Sequence, residues 1–234
     1  MQQTSYKNFI YVTLSLCFIL FALLGSIHFW CFNESFYKSE HRKLTLYGKS
    51  IADHIGISDE ELDDLTHFTL AYLNDPKASL DKQMNIKGQM REVFTDDEKA
   101  HMVDVRNLNL IANKLLIISF IVCVVLIGII IFKKLSFAEL FVVYKKVFLY
   151  VMGFIAILSI WIVIDFDSFW TSFHHLFFAG NDLWILDLRK DVLIMIVPPD
   201  FFNHLVITIV ISFVGLIFVS YMTLYYLKGK LSVR

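Results

Sequence analysis

Three clusters in this sequence carry side chains suited to acid–base or binding chemistry. In the first, Glu98, His101 and Asp104 stand three apart. On a helix both carboxylates then flank the imidazole along one side. A carboxylate beside an imidazole fixes its tautomer and raises its basicity, which suits a general base. The same spacing fits the capped start of a solvated helix with one exposed histidine. The second cluster is Phe173-His174-His175-Leu176-Phe177-Phe178. Ionisable groups at membrane depth are costly and tend to mark function, yet two rings snorkelling to headgroup level need no chemistry at all. The third holds Asn181, Asp182, Trp184, Asp187, Arg189 and Asp191. These could orient the histidines or hold a polar headgroup; for Asp182 and Arg189 a turn-forming role is favoured.

Other chemistries lack a signal. There is no HExxH and no histidine pair at ligand spacing with an obvious third ligand, so no metal is assigned. On a helix the adjacent His174 and His175 point about 100° apart. No GxSxG elbow, no cysteine beside a histidine and no glycine-rich phosphate loop occurs. Cys17 and Cys123 fall inside apolar runs and read as packing residues; only Cys31 lies near a run's end, and no disulfide framework results. No basic patch suggests nucleic acid, no nucleotide is expected, and no cofactor is assigned.

Four apolar runs must position these clusters: residues 9–32, 111–132, 147–164 and 205–227. A span needs about 20 mostly apolar residues to cross about 30 Å of hydrocarbon, and it must satisfy its own backbone, which favours helices. The expected fold is therefore all-α: a polytopic membrane protein with four transmembrane helices and a small helical extracytoplasmic domain. The boundaries read as 1–32 (N-terminus and first span), 33–110 (helical outer domain), 111–132 (second span), 133–146 (cytoplasmic loop), 147–164 (third span), 165–204 (interfacial or re-entrant loop) and 205–234 (fourth span and tail). Segments 33–110 and 165–204 hold every acidic residue except Glu139, and all eight histidines lie in them or at their edges. Lys7, the lysines around the middle loop and those of the C-terminus put both termini inside, so the chemistry faces out. The first run lacks an A-x-A-like cleavage site and reads as a retained helix.

Within 33–110, Ser58 to Glu61 and Thr95 to Glu98 form capping boxes, and Asn74-Asp75-Pro76 stops the first of those helices. Residues 38–49 are expected to form another short helix, and 96–132 one helix or two abutting ones. The aromatic-rich 165–204 segment reads as short interfacial helices, and Pro198-Pro199 ends the apolar stretch 192–197.

The ordered set Glu98-x-x-His101-Met102-x-Asp104-Val105, then Phe173-His174-x-Leu176-Phe177-Phe178, then Trp184, Asp187 and Asp191-x-Leu193-Ile194-x-x-x-Pro198-x-x-Phe201-Phe202 resembles the bacterial lipoprotein intramolecular transacylases. Leu188 stands where that pattern has proline, and His175 where an acid is more usual. The resemblance implies an acyltransferase of the cell membrane that moves the sn-2 O-acyl chain of a diacylglyceryl-cysteine lipoprotein onto the same cysteine's α-amine. The product is a lyso-form lipoprotein, and the partners are such lipoproteins and membrane lipids. It makes His101 and His174 the catalytic residues. Glu98, Asp104, Trp184, Asp187 and Asp191 become orienting or substrate-binding residues. His101, oriented by Asp104 or Glu98, is taken as base and His174 as donor or acid, with the reverse left open. The other histidines are expected at the surface or interface. Two other classes stay in view: a metal-dependent membrane hydrolase, and a non-enzymatic sensor or assembly factor that binds a partner through its outer domain.

Overall fold

Local signals start and stop the helices closely. The structure, a computed structural model, describes residues 2–231. In chain order the elements are α1 (Gln2–Cys31), α2 (Glu34–Lys43), β1 (Thr45–Leu46), β2 (Lys49–Ser50), α3 (Ile51–Ile55) and α4 (Asp59–Asn74). Then come β3 (Gln83–Ile86), β4 (Gln89–Glu92), α5 (Asp96–Phe132), α6 (Phe137–Ile164), α7 (Phe166–Phe177), α8 (Val192–Ile196) and α9 (Pro199–Leu231). Two compact units share these elements: Met1–His28, Ala112–Phe166 and Thr208–Arg234 form the first, and Phe29–Ile111 with Asp167–Ile207 the second.

The first unit holds most of the apolar length of α1, α5, α6 and α9, which among the described residues are the four helices long and apolar enough to cross a membrane. The chain is a multi-pass membrane protein. Its α6 starts at Phe137, ten residues before the expected third span, because Ser136 Oγ accepts from Glu139 N–H and nucleates the first turn. Tyr11, Leu14, Ile130 and Leu140 form one core cluster; Tyr144, Phe148, Phe213 and Ile217 form another. Polar side chains here find partners one turn back or on another helix. Ser15 and Ser26 donate to carbonyls one turn back, and Tyr144 pairs with Ser220. Such bonding is what hydrocarbon demands, since an unpaired polar group there costs on the order of several kcal/mol.

The second unit is a small helical domain with two added β-hairpins. Ser58 and Glu61 cap α4 reciprocally, as the sequence pattern required. Residues 38–49 differ from the single helix expected there: α2 ends at Lys43 and β1 pairs with β2. The turn between them puts Tyr47 and Gly48 at positive φ, 50° and 79°, the twist that a two-residue hairpin favours. The β3–β4 hairpin repeats this with Lys87 and Gly88 at 54° and 83°. Met84 and Ile86 alternate inward along β3. They join Ile51, Leu62, Leu65, Met102 and Leu193 in one core cluster. Residues 96–132 form one helix, α5, whose first turns belong to this unit and whose remainder belongs to the first.

Candidate active site

Every residue singled out for chemistry lies in the second unit. His101 is on the second turn of α5 and His174 on the last turn of α7. Their rings are 6.2 Å apart between centroids and inclined by 31°. Both are buried, at 7% and 6% exposure. Phe178 packs its edge on His101 at 5.2 Å, and Trp184 stacks on His174 at 4.7 Å. Trp170 meets His174 edge-on at 4.8 Å.

These apolar walls set the charge states. Burial, helped by the neighbouring His174 and opposed by Asp104, pulls the His101 pKa down to about 4. Burial likewise lowers that of His174. Both rings are therefore neutral at neutral pH. In His174 the tautomer is settled as well. Its Nδ1 lies 2.7 Å from the Trp170 carbonyl oxygen, which can only accept, so Nδ1 carries the proton. That leaves Nε2 as a bare lone pair. Among the described residues His101 has no such tether, and its buried Nδ1 has no hydrogen-bond partner. The buried indole Nε1 of Trp184 is also without one. Buried donors are seldom left unmatched, because doing so costs about 1–3 kcal/mol.

The expected orienting residues separate into two sets. Trp184 lies against His174, and Asp104 is near enough to His101 to act on its charge. The Asp104 carboxylate itself accepts from Asn181 Nδ2 at 3.1 Å. Glu98, fully buried, accepts from Thr95 N–H and Leu193 N–H at 2.6 Å each, pinning the start of α5 to α8. Burial pushes its carboxyl above the usual range, against the pull of those donors. Asp191 accepts from Asp187 N–H at 2.7 Å. Asp187 forms a two-pronged pair with Arg189, which holds its pKa down to about 2. Glu98, Asp187 and Asp191 thus brace the loop and helices behind the pair. His175 is exposed and touches only the edge of Trp184 among the ring contacts described.

Two features lay outside the sequence reading. Trp170 sits one helical turn before His174, an i, i+4 relation that could have marked its carbonyl as the tether. His41, expected at the surface, is 2% exposed, with Nε2 donating to the Ile196 carbonyl at 3.0 Å. Among the described residues no three His, Cys, Asp or Glu side chains converge as a metal-ligand set.

Comparison with known proteins agrees with this architecture. A family model described as "Lipoprotein intramolecular transacylase Lit" matches residues 12–202. The solved structure of the membrane-integral lipoprotein intramolecular transacylase Lit from Bacillus cereus superposes with a TM-score of 0.80 at 20% identity. That match covers 98% of this chain and 100% of the other. Structures of two variants of that protein, with one histidine replaced by alanine or by arginine, match with TM-scores of 0.75 and 0.73 at 19% and 20% identity. They cover 99% and 97% of this chain, and 98% and 94% of theirs. A comparison with curated proteins finds no match.

Proposed function

The chain belongs to the lipoprotein intramolecular transacylase family Lit, a family of membrane acyltransferases acting on lipoproteins, and from that premise we propose that the His101–His174 pair performs the transfer. The substrate is a lipoprotein whose N-terminal cysteine carries a diacylglyceryl group and a free α-amine. The sn-2 ester carbonyl and the amine belong to one molecule, so the protein's task is to orient them and exclude water. One observation carries this reading: two buried, neutral imidazoles face each other 6.2 Å apart, with a tryptophan stacked on one of them.

His174 Nε2 is the base, because the Trp170 carbonyl commits Nδ1 to its proton. As the amine nitrogen attacks the ester carbonyl, a C–N bond forms and the amine proton passes to Nε2. The C–O bond then breaks, and His174 returns that proton to the departing glycerol oxygen. Product amide and free hydroxyl balance the amine and ester consumed. Ester-to-amide transfer is downhill, so no nucleotide is drawn on.

The tetrahedral oxyanion needs donors in place beforehand. His101, kept neutral by burial, presents a ring N–H rather than a full cation. Trp184 Nε1–H, buried without an acceptor, supplies the second donor once the acyl carbonyl arrives. Phe173, Phe177 and Phe178 seat acyl chains. By the positive-inside rule the stretches that carry the lysines at 133, 134, 145, 146, 228 and 230 are cytoplasmic. The second unit and the chemistry therefore face the outer leaflet, with both termini inside.

Purified protein alone should convert a diacylglyceryl lipopeptide into an isomer of equal mass with a blocked N-terminus. His174→Ala and His101→Ala should each abolish the conversion while circular dichroism stays unchanged. Release of fatty acid instead of an isomer, or wild-type activity in both variants, overturns the proposal.

A further inference from the structure

A second polar site stands in the same unit, and neither His101 nor His174 lines it. It is a cavity of about 350 Å³ between α3, the β3–β4 hairpin, the 187–191 loop and α8. Among the described residues, His54, Lys87, Arg91, Arg189 and Lys190 line it, and no acidic residue does. The other polar lining group is Gln89, whose amide can also donate. Ile55, Ile86 and Met195 form the floor and belong to the buried core. A low-dielectric floor beneath clustered cations focuses their field on whatever enters.

The cations are not all spoken for. Arg189 is paired with Asp187, and Lys190 Nζ is a loose 3.9 Å from Asp191. His54 Nε2 reaches the Leu188 carbonyl at 3.3 Å and its ring packs against Tyr47. Lys87 and Arg91 have no carboxylate within salt-bridge distance among the described residues. Lys87 is also held in place. It occupies a left-handed turn position, and its N–H donates to the Gly56 carbonyl at 3.2 Å. Its stem runs so close to Gly56 that a Cβ there would overlap Lys87 Cγ, so glycine is what admits it.

The cavity's size and lining select the ligand. At about 350 Å³ it is at the small end of ligand pockets, which run from roughly 300 to 1,000 Å³. Its lining is mostly polar, which disfavours an acyl chain. The Arg189 fork is taken by Asp187, which leaves the Arg91 guanidinium with the Lys87 and Lys190 ammonium groups; that set calls for an anion with several oxygens, and guanidinium matches phosphate two-prongedly. We propose that this cavity binds a phosphate or phosphodiester group, from an anionic lipid headgroup or from a soluble phosphate compound.

The full chain in phosphatidylcholine nanodiscs should be titrated with inorganic phosphate and with glycerophosphoglycerol at ionic strength matched by chloride, reading the thermal midpoint and calorimetric heat. Parallel discs containing phosphatidylglycerol test the lipid-held headgroup. Saturable binding in at least one arm is expected. Lys87→Ala with Arg91→Ala should weaken it about tenfold or more. Preference for the diester or for phosphatidylglycerol discs assigns a lipid headgroup; preference for inorganic phosphate assigns a soluble anion. Absence of saturable binding over chloride in every arm overturns the proposal, as does unchanged affinity in the Lys87→Ala/Arg91→Ala variant. The His174→Ala variant should bind as the wild type does, which separates this outcome from that of the transfer reaction.

Discussion

His41 and His101 are both buried in the second unit, both neutralised by burial and both in contact with aromatic rings, yet their hydrogen bonding differs and the proposed function gives them different work. His41 spends Nε2 on the Ile196 carbonyl and packs against Tyr37 and Phe201. The adjacent Glu40 accepts from Lys43 and His204 and does not touch it by hydrogen bond. Among the described hydrogen bonds His101 spends neither nitrogen on a neighbour, and it faces a second imidazole whose tautomer is already set. A carbonyl tether does not by itself separate the two settings, since His174 is held by Trp170 as His41 is by Ile196. What differs is the neighbour: His101 and His174 lie ring to ring, whereas His41 lies among Tyr37 and Phe201.

The comparison breaks most visibly in turnover. His174→Ala or His101→Ala should lower kcat by about 10³-fold or more, combining lost proton transfer with lost oxyanion donation. His41→Phe should leave kcat per folded molecule within about twofold and act on stability instead, by about 1–2 kcal/mol for the lost bond to Ile196. A His41→Phe enzyme as dead as His101→Ala would erase the distinction.

Next in size is the pH dependence of stability. Burial lowers the pKa of His41, His101 and His174 alike. The unfolded chain then binds protons that the folded unit refuses, so stability rises with pH across this window. For His101 the window runs from about 4 to the usual 6.5. Acidifying through it should remove about 3 kcal/mol, and His101→Phe should remove that part of the slope in denaturant melts at about pH 7, 5.5 and 4. A slope unchanged by the substitution would mean that His101 is solvated.

Trp184→Phe keeps a ring on His174 but deletes the unmatched Nε1–H. It should lower kcat by about 10²-fold with KM little changed, the signature of a donor used in the transition state. An unchanged kcat would reduce Trp184 to packing. The smallest effect belongs to the surface. Arg42 pairs with Asp59 and Asp63 in the open, and Arg42→Ala should cost under about 1 kcal/mol, read as a small shift in Tm, with activity intact.

Much of this architecture was legible in the chain because its signals are local. Ser58 with Glu61, and Thr95 with Glu98, cap their helices as their spacing demands. Pro199 opens α9, and the 111–132 run continues unbroken from the capped start of α5. The hairpins were harder, since Tyr47-Gly48 and Lys87-Gly88 offer two-residue turns inside segments too short to show a strong alternation. Only Gln83 to Ile86, with its in-and-out pattern, carried a readable trace. Glu98 shows the limit of spacing arguments. It stands three residues from His101, as an orienting carboxylate would, yet Leu193, remote in sequence, captures it.

Composition and periodicity thus determined four apolar helices and the two histidines set in distinctive surroundings, because each depends on residues within a few turns of one another. Tertiary structure alone decided that His101 meets His174, that Glu98 serves α8, and that cations from two stretches of chain line one cavity. Those outcomes depend on which core faces pack together, and a side chain's neighbours across a core are set by shape and burial, which no local spacing records.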